Sequence, residues 1–320
     1  MNANIVLFLP LIASAAYGAG TVFPERPIRI VVPFPPGGGS DFIARVLAAK
    51  APAVLGQNGV VDNRAGAASL LGTQLVANAA NDGYTLLLAD TPFAVNHAIY
   101  DKAGYDPIKS FTPISQLATT PMMLVVHPAI SATNVQEFIA LAKAQPGKLR
   151  ISNGGIGTIA HLAGALLMIS TGIDLATIQY KGGGPALIGL MAGEAQAYVG
   201  PAPVVMPHIK SGKVRVLGVA SAKRSSFATD VPTMQEAGVT GYVVTNWYLV
   251  AAPANTPAPV VAKLHGAFVK ILEQRDTIER FAATLIEVSP SASPKEARDM
   301  IASEVAGWSR VVKAAGIRLE

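Results

Sequence analysis

The feature that most narrows the fold is a unit used repeatedly: a short apolar run rich in β-branched residues, a turn crowded with glycine, then a helix-forming stretch. It occurs over residues 28–55, where IRIVV feeds PFPPGGGSD, over 149–171, where LRIS feeds NGGIGT, and over 177–192, where TIQ feeds YKGGGP. Short apolar runs bounded by glycine and proline are strand signals. Strands that alternate with helices of this length build a largely parallel sheet covered by helices.

The same reading applied along the chain predicts strands over 28–32, 60–62, 85–89 and 122–126, with helices from 42 to about 55 and over 69–78. Pro52 is expected to kink the first helix or shorten its last turn. A second series opens with Thr133 and Gln136 as a capping box for a helix over 135–144, which Pro146-Gly147 stops. Strands over 149–152, 177–179, 195–199 and 214–220 follow, with helices over 159–171 and 186–192 and a short helix or turn over 203–210. A strand over 242–250 then leads into helices over 257–273, 277–284 and 294–315. Ser293, Pro294 and Glu296 supply the cap, the first-turn proline and the acid of that last helix start.

A length of 320 residues accommodates two lobes. The sequence has neither an internal repeat nor a low-complexity linker, so the lobes are expected to share crossing strands, with 21–125 plus 249–320 in lobe 1 and 126–248 in lobe 2. The chain is 51% hydrophobic and 14% charged, which excludes a disordered protein. Aromatic residues make up 6%, and the net charge of +5 is spread thinly, so the clustered rings and cations that nucleic-acid binding requires are missing. There is no cysteine, which removes disulfides, thiolate catalysis and Cys-ligated zinc. Residues 1–20 hold an apolar run followed by small residues and read as a secretion signal cleaved near residues 16–20, although no Lys or Arg precedes the run. No later segment reaches the length of a membrane span.

The glycine turns are where chemistry is expected. Gly37, Gly38, Gly39, Ser40 and Asp41 lie between a strand and a helix, where glycine lets a ligand approach the backbone and first-turn amides carry partial positive charge. That is an anion cradle. The plainer reading is a tight connection with Ser40 or Asp41 as an ordinary N-cap. Asn153, Gly155, Ile156, Gly157 and Thr158 repeat the arrangement in the second series. Gly155, Gly157 and Ala160, with Asp174 further on, also fit a dinucleotide fingerprint, although an export signal places the chain where nicotinamide cofactors are not normally available. His161 is either a hydrogen-bond donor to a carboxylate or a satisfied structural histidine. Neither a metal-binding spacing of histidines nor a complete nucleophile elbow around Ser40 is present, so no cofactor and no metal are expected. Lys181 reads most simply as a solvated loop residue, and Trp247 and Tyr248 as either cleft-lining or core.

Several ordered segments, RPIRIVVPFPPGGGSD, DNRAGA, NDGYTLLL, FTPIS, VVHP, ALAKAQPGKL, GTIAHLAG, YKGGGPAL, MPHIKSG, SAKR, DVPTMQEAG and WSRVVKAAGI, resemble the substrate-binding proteins of tripartite tricarboxylate transporters, the Bug or TctC type. The resemblance runs from about Pro24 to Ile317. It implies an α/β two-domain periplasmic binding protein fold, each lobe a mostly parallel sheet flanked by helices, with a ligand cleft between the lobes. It also implies a monomeric, non-enzymatic periplasmic receptor that closes around a small carboxylate and hands it to integral-membrane permease subunits. By motif, the carboxylate would meet Phe34, Gly37, Gly38, Gly39, Ser40 and Asp41 in the first lobe, and Ser152, Asn153, Gly155, Ile156, Gly157, Thr158 and His161 in the second. Thr91, Tyr180, Gly200 and Pro201 would flank the rest of the solute. Alternatives of another class are a secreted α/β enzyme acting on a small carboxylate and a dinucleotide-binding oxidoreductase.

Two departures from the family pattern bear on the ligand. Ala165 stands where a glutamate is common, and Gly200 where an aspartate is frequent. The loss of two acids predicts a distal pocket that is less polar and favours a dicarboxylate or an aromatic carboxylate over an amino acid.

Overall fold

The protein is described by a computed structural model over residues 23–318, apart from Ala68 and Asp101. The expected signal segment, residues 1–20, and the expected start of the mature chain at Thr21 lie outside the described residues. The chain begins with β1 (Ile28–Val32), α1 (Gly39–Leu55), β2 (Gly59–Asn63), α2 (Leu70–Ala77), β3 (Thr85–Asp90) and α3 (Thr91–Ile99). The long strand β4 (Phe111–Val126) follows, then α4 (Val135–Ala144), β5 (Arg150–Asn153), α5 (Ile159–Thr171), β6 (Ala176–Gln179) and α6 (Gly183–Met191). The remainder is β7 (Ala197–Pro201), α7 (Ala202–Lys210), β8 (Arg215–Val219), β9 (Thr245–Pro253), α8 (Ala258–Leu272), α9 (Arg275–Ala283), β10 (Glu287–Val288) and α10 (Pro294–Ala315).

The strands line up in the order β2-β1-β3-β9-β4-β7-β5-β6, with β8 and β10 also paired to β4. The strand–turn–helix units give the expected parallel ladders, β1 with β2 and β3, and β5 with β6 and β7. The crossing strands pair antiparallel, so each half is a mixed sheet: β9 joins β3 to β4, and β4 joins β7 and β8. β4 pairs with β9 through Pro121 and with β7 from Met122 onward, so one continuous strand carries the chain from one half to the other. The return crossing falls where the Val244 amide bonds the Ala220 carbonyl, one residue before β9 begins.

β4 begins eleven residues before the strand expected at Met122, and this first half contains Pro113 and Pro121, which cannot donate to a ladder. The structure accommodates Pro113 at a register shift between Pro113 and Ser115, and Pro121 where pairing changes partner. Pro52 does not end α1, which continues to Leu55 and closes with Gly56 in the left-handed region donating to the Pro52 carbonyl. The cap of α4 is Asn134, whose side chain accepts from the Glu137 amide, and Glu137 reaches back to the Thr133 amide and hydroxyl. The capping box therefore starts one residue later than the Thr133–Gln136 pair predicted. The cap of α10 is as predicted: Ser293 accepts from the Glu296 amide, and the Glu296 carboxylate accepts from the Ala292 amide.

Helical periodicity puts Ile43, Val46 and Leu47 of α1 on one face, buried against Ile30, Leu88 and Val250. Each such side chain contributes about 2 kcal/mol by leaving water. A second core gathers Leu124, Val126, Phe138, Leu162 and Tyr242. The long helix α10 serves two cores, since Ala297 and Ile301 pack beside Trp247 while Trp308 and Val312 pack with the second group. Between them the Glu304 carboxylate accepts from Trp247 Nε1 and Trp308 Nε1, each at 2.8 Å.

Candidate functional site

Strands β1, β3, β5, β6 and β7 each lead into a helix, α1, α3, α5, α6 and α7 respectively. In an open α/β sheet the carboxyl ends of such strands share an edge, and ligands bind in the crevice there. A cavity of about 490 Å³ lies at that edge, bounded by residues of both halves. Its size falls in the range of small-molecule sites.

On one wall are Phe34, Gly38, Gly39 and Ser40. Gly37 has φ +94°, a conformation that only glycine takes without strain, and it swings the chain from β1 into α1. A Cβ at Gly39 would lie 2.4 Å from Tyr248 Oη, so glycine lets the first turn of α1 rest against that tyrosine. The N-cap is Gly38, which supplies no side-chain bond, in place of the expected Ser40 or Asp41. Asp41 instead turns back to brace the loop, its carboxylate accepting from the Gly37 amide (2.9 Å), Asn63 Nδ2 (3.0 Å) and Arg45 Nε (2.8 Å). The Arg45 bond does most to hold the Asp41 carboxyl below its usual range, with Gly37 and Asn63 adding to it against the opposing effect of burial. Its charge is thus spent within the loop.

On the facing wall are Gly154, Thr158, Ile159 and Ala160 at the start of α5, and Gly183 and Gly184 at the start of α6. A Cβ at Gly154 would come within 3.0 Å of the Gly182 carbonyl carbon and the Gly183 nitrogen, so the two glycine turns pack backbone against backbone. Thr158 caps α5 by accepting from the His161 amide and fixes the turn by donating to the Gly155 carbonyl at 2.8 Å. Pro201 and Val204, from the start of α7, and Tyr198 complete this side.

Among the described residues, five helices thus begin at one cavity, and no Lys, Arg or His lines it. The first amides of a helix have no intrahelical acceptor and carry the positive end of the dipole. The first-turn amides in the cavity wall are those of α1, α5 and α6, because Thr91 and Ala202 are buried and Pro92 and Pro203 have no N–H; with the five aligned helix dipoles they offer an anion several oriented donors and no neutralising side-chain cation.

Of the site residues predicted from sequence, Phe34, Gly38, Gly39, Ser40, Thr158 and Pro201 line the cavity. The others are not among its lining residues. Thr91 is buried and donates to Asn246 Oδ1 at 3.0 Å, so it orients a lining residue. Ser152 is buried in β5, and Asn153 Oδ1 accepts from the Gly155 amide at 2.9 Å. Ile156 packs on the second core, and Gly155 and Gly157 hold positive φ within the turn. His161 Nδ1 accepts from the Gly157 amide at 3.3 Å, and burial lowers its pKa, so the ring is neutral and braces the turn. Tyr180 donates to Glu194 at 2.6 Å. Gly200 is two residues from Tyr198 on the same strand face, and a Cβ there would lie 2.1 Å from the Tyr198 ring. The place an acidic side chain would take at position 200 is therefore occupied by the ring.

The sequence reading missed Tyr198, Asn246 and, above all, Asp90. Asp90 is buried at the end of β3, in the cavity wall, and accepts from Ser40 Oγ at 3.4 Å. The cavity wall thus carries one acid, on the side of the first glycine turn. The signal was an aspartate closing the apolar run TLLLA just before Thr-Pro, a helix-start pattern. Trp247 and Tyr248 divide as strand alternation requires: Tyr248 lines the cavity and Trp247 faces α10.

Two α/β halves joined by crossing strands, with a cavity at the junction, define a two-lobed solute-binding protein. Residues 43–317 match the family described as tripartite tricarboxylate transporter family receptor. Protein BugT of Bordetella pertussis is 36% identical over 99% of this chain and 98% of its own length. Among solved structures, R. palustris Rpa4515 with adipate is 32% identical with a TM-score of 0.81, covering 92% of this chain and 99% of that one. MatC from Rhodopseudomonas palustris with bound malate is 31% identical with a TM-score of 0.77, covering 91% and 100%. The chain belongs to the tripartite tricarboxylate transporter receptor family, and it is a periplasmic solute-binding protein, not an enzyme.

Proposed function

We propose that this receptor captures a small organic carboxylate, a dicarboxylate or an aromatic carboxylate, by closing its cleft, and delivers it to a tripartite-type membrane permease. The observation that carries the reading is the convergence of five helix N-termini on one cavity of about 490 Å³ without a cationic side chain. Each helix end favours an anion by roughly 0.3–1 kcal/mol. The apolar remainder of the wall, from Phe34, Ile159 and Val204, suits a carbon chain or ring. Adipate and malate in two relatives support the same chemistry.

In this reading residues 1–20 are a secretion signal, 21–121 with 245–320 form one lobe and 122–244 the other, each boundary four residues before the one expected from sequence, and the mature receptor acts as a monomer. The crossings at Pro121–Met122 and Val244–Thr245 are the natural hinge, because they are where β4 and β9 pass between halves. A ligand touching both walls favours the closed form by its differential affinity for it.

The test is a thermal-shift and calorimetry panel on the mature protein containing adipate, malate, aromatic carboxylates and amino acids. A true ligand at a hundredfold excess over Kd adds about 2.7 kcal/mol, which raises Tm by about 4 °C for a chain of this size. A panel in which no carboxylate shifts Tm sinks the reading. Amino acids alone stabilising the protein would overturn the stated preference.

A further inference from the structure

Asp90 is the last residue of β3 and stands at the N-cap of α3, where an aspartate ordinarily accepts from its own helix's first amides. Here its side chain makes no such bond. Oδ2 accepts from Ser40 Oγ, and Oδ1 is buried without a hydrogen-bond partner. The residue is 8% exposed and forms part of the cavity wall beside the start of α1. A buried carboxyl left half satisfied needs an explanation, because desolvating it without a partner is costly.

Its surroundings limit the answer. The ionisable groups nearest it are Tyr248 on β9 and Tyr105 beyond α3, with Tyr198 on the opposite wall, and burial raises the pKa of all three hydroxyls. With no cation in the cavity wall, burial pushes the Asp90 carboxyl up to about 8. Two chemistries answer a buried acid: a ligand cation or a retained proton. A ligand ammonium brings three donors and would need acceptors beside Asp90, where Asn246 Oδ1 already accepts once from Thr91. It would also sit among helix N-termini that repel positive charge. A neutral acid, in contrast, adds one more donor to a site already built of donors.

We propose that Asp90 is a ligand-contacting specificity residue that stays protonated and donates from its carboxyl group to a carboxylate oxygen of the ligand, so that the receptor binds the anion and keeps the proton. The inference rests on the carboxylate-receptor reading above. The linkage follows: below the free receptor's pKa the proton is already in place and affinity is flat. Above that value the proton must be taken up on binding, so affinity falls.

The experiment is isothermal calorimetry with adipate and with malate between pH 7 and 9, in two buffers of different ionisation enthalpy. Burial lowers the pKa of His161, which moves its titration away from that window. Wild-type Kd is expected to rise about tenfold from pH 7 to 9, with proton uptake approaching one per ligand at pH 9. Asp90→Asn, an amide donor at every pH, is expected to lose that slope, and Asp90→Ala to bind at pH 7 about tenfold more weakly than Asp90→Asn. Proton release on binding, a Kd that falls with pH, or a wild-type slope retained in Asp90→Asn overturns the proposal, the first two by showing an ionised Asp90 facing a cation. Should the variants fail to fold, the wild-type proton count decides alone. Binding with a flat profile defeats this inference only. If adipate, malate and every other carboxylate of the panel fail to bind, the receptor reading fails and takes this proposal with it.

Discussion

Gly38→Asp separates the folding role of the first glycine turn from its binding role. Gly38 caps α1 with φ −83° and ψ 176°, ordinary N-cap angles for any residue, and a Cβ there meets nothing within 4 Å. Aspartate is among the best N-caps and exceeds glycine by a few tenths of a kcal/mol, so the variant is expected to melt at or slightly above the wild-type temperature. Its carboxylate would stand at the cavity wall, on the helix end offered to the ligand. Two unit charges 4–8 Å apart at an effective dielectric constant of about 20 repel by roughly 2–4 kcal/mol. That corresponds to a loss of about 30- to 1,000-fold in affinity. Calorimetry with the tightest-binding carboxylate from the panel measures it, alongside Gly38→Asn, which adds the same bulk without charge. Wild-type affinity in Gly38→Asp, or equal losses in both variants, would refute the electrostatic argument.

Asp41→Ala removes the acceptor that ties Gly37, Asn63 and Arg45 together, and is expected to cost about 2 kcal/mol in urea unfolding at pH 7. Because the folded-state pKa of Asp41 is depressed, that contribution is full above the unfolded value near 4 and is lost as pH falls through the folded one. The wild-type advantage should therefore shrink in acid, and a difference independent of pH would contradict the assignment. Tyr198→Phe deletes a buried hydroxyl that has no partner, so thermal melts of the ligand-free protein should show equal or higher stability, by up to about 1 kcal/mol. A clear drop in Tm would mean the hydroxyl is satisfied.

Local signals read well wherever neighbours in sequence decide the outcome. The spans of α4, α5 and α10 came out as predicted, because periodicity, caps and stops all act within a few residues. Their failures were local conflicts that tertiary structure resolved. The first half of β4 went unread, and its prolines are accommodated by register shifts and a change of partner. Helix α3 was overlooked because Thr91-Pro92 follows the strand with no glycine turn, and with it went Asp90.

The sequence by itself determined that glycine elbows would join strands to helices and expose first-turn amides, since φ preference and missing intrahelical acceptors are properties of the chain at that point. Only the tertiary structure decided which side chains share the cavity. Asp90, Tyr198 and Asn246 are far apart along the chain, and Asp41 and His161, adjacent to the turns, face inward to brace them. Burial, and with it the protonation of Asp90, depends on surfaces supplied by β9 and α1, which no window around residue 90 contains.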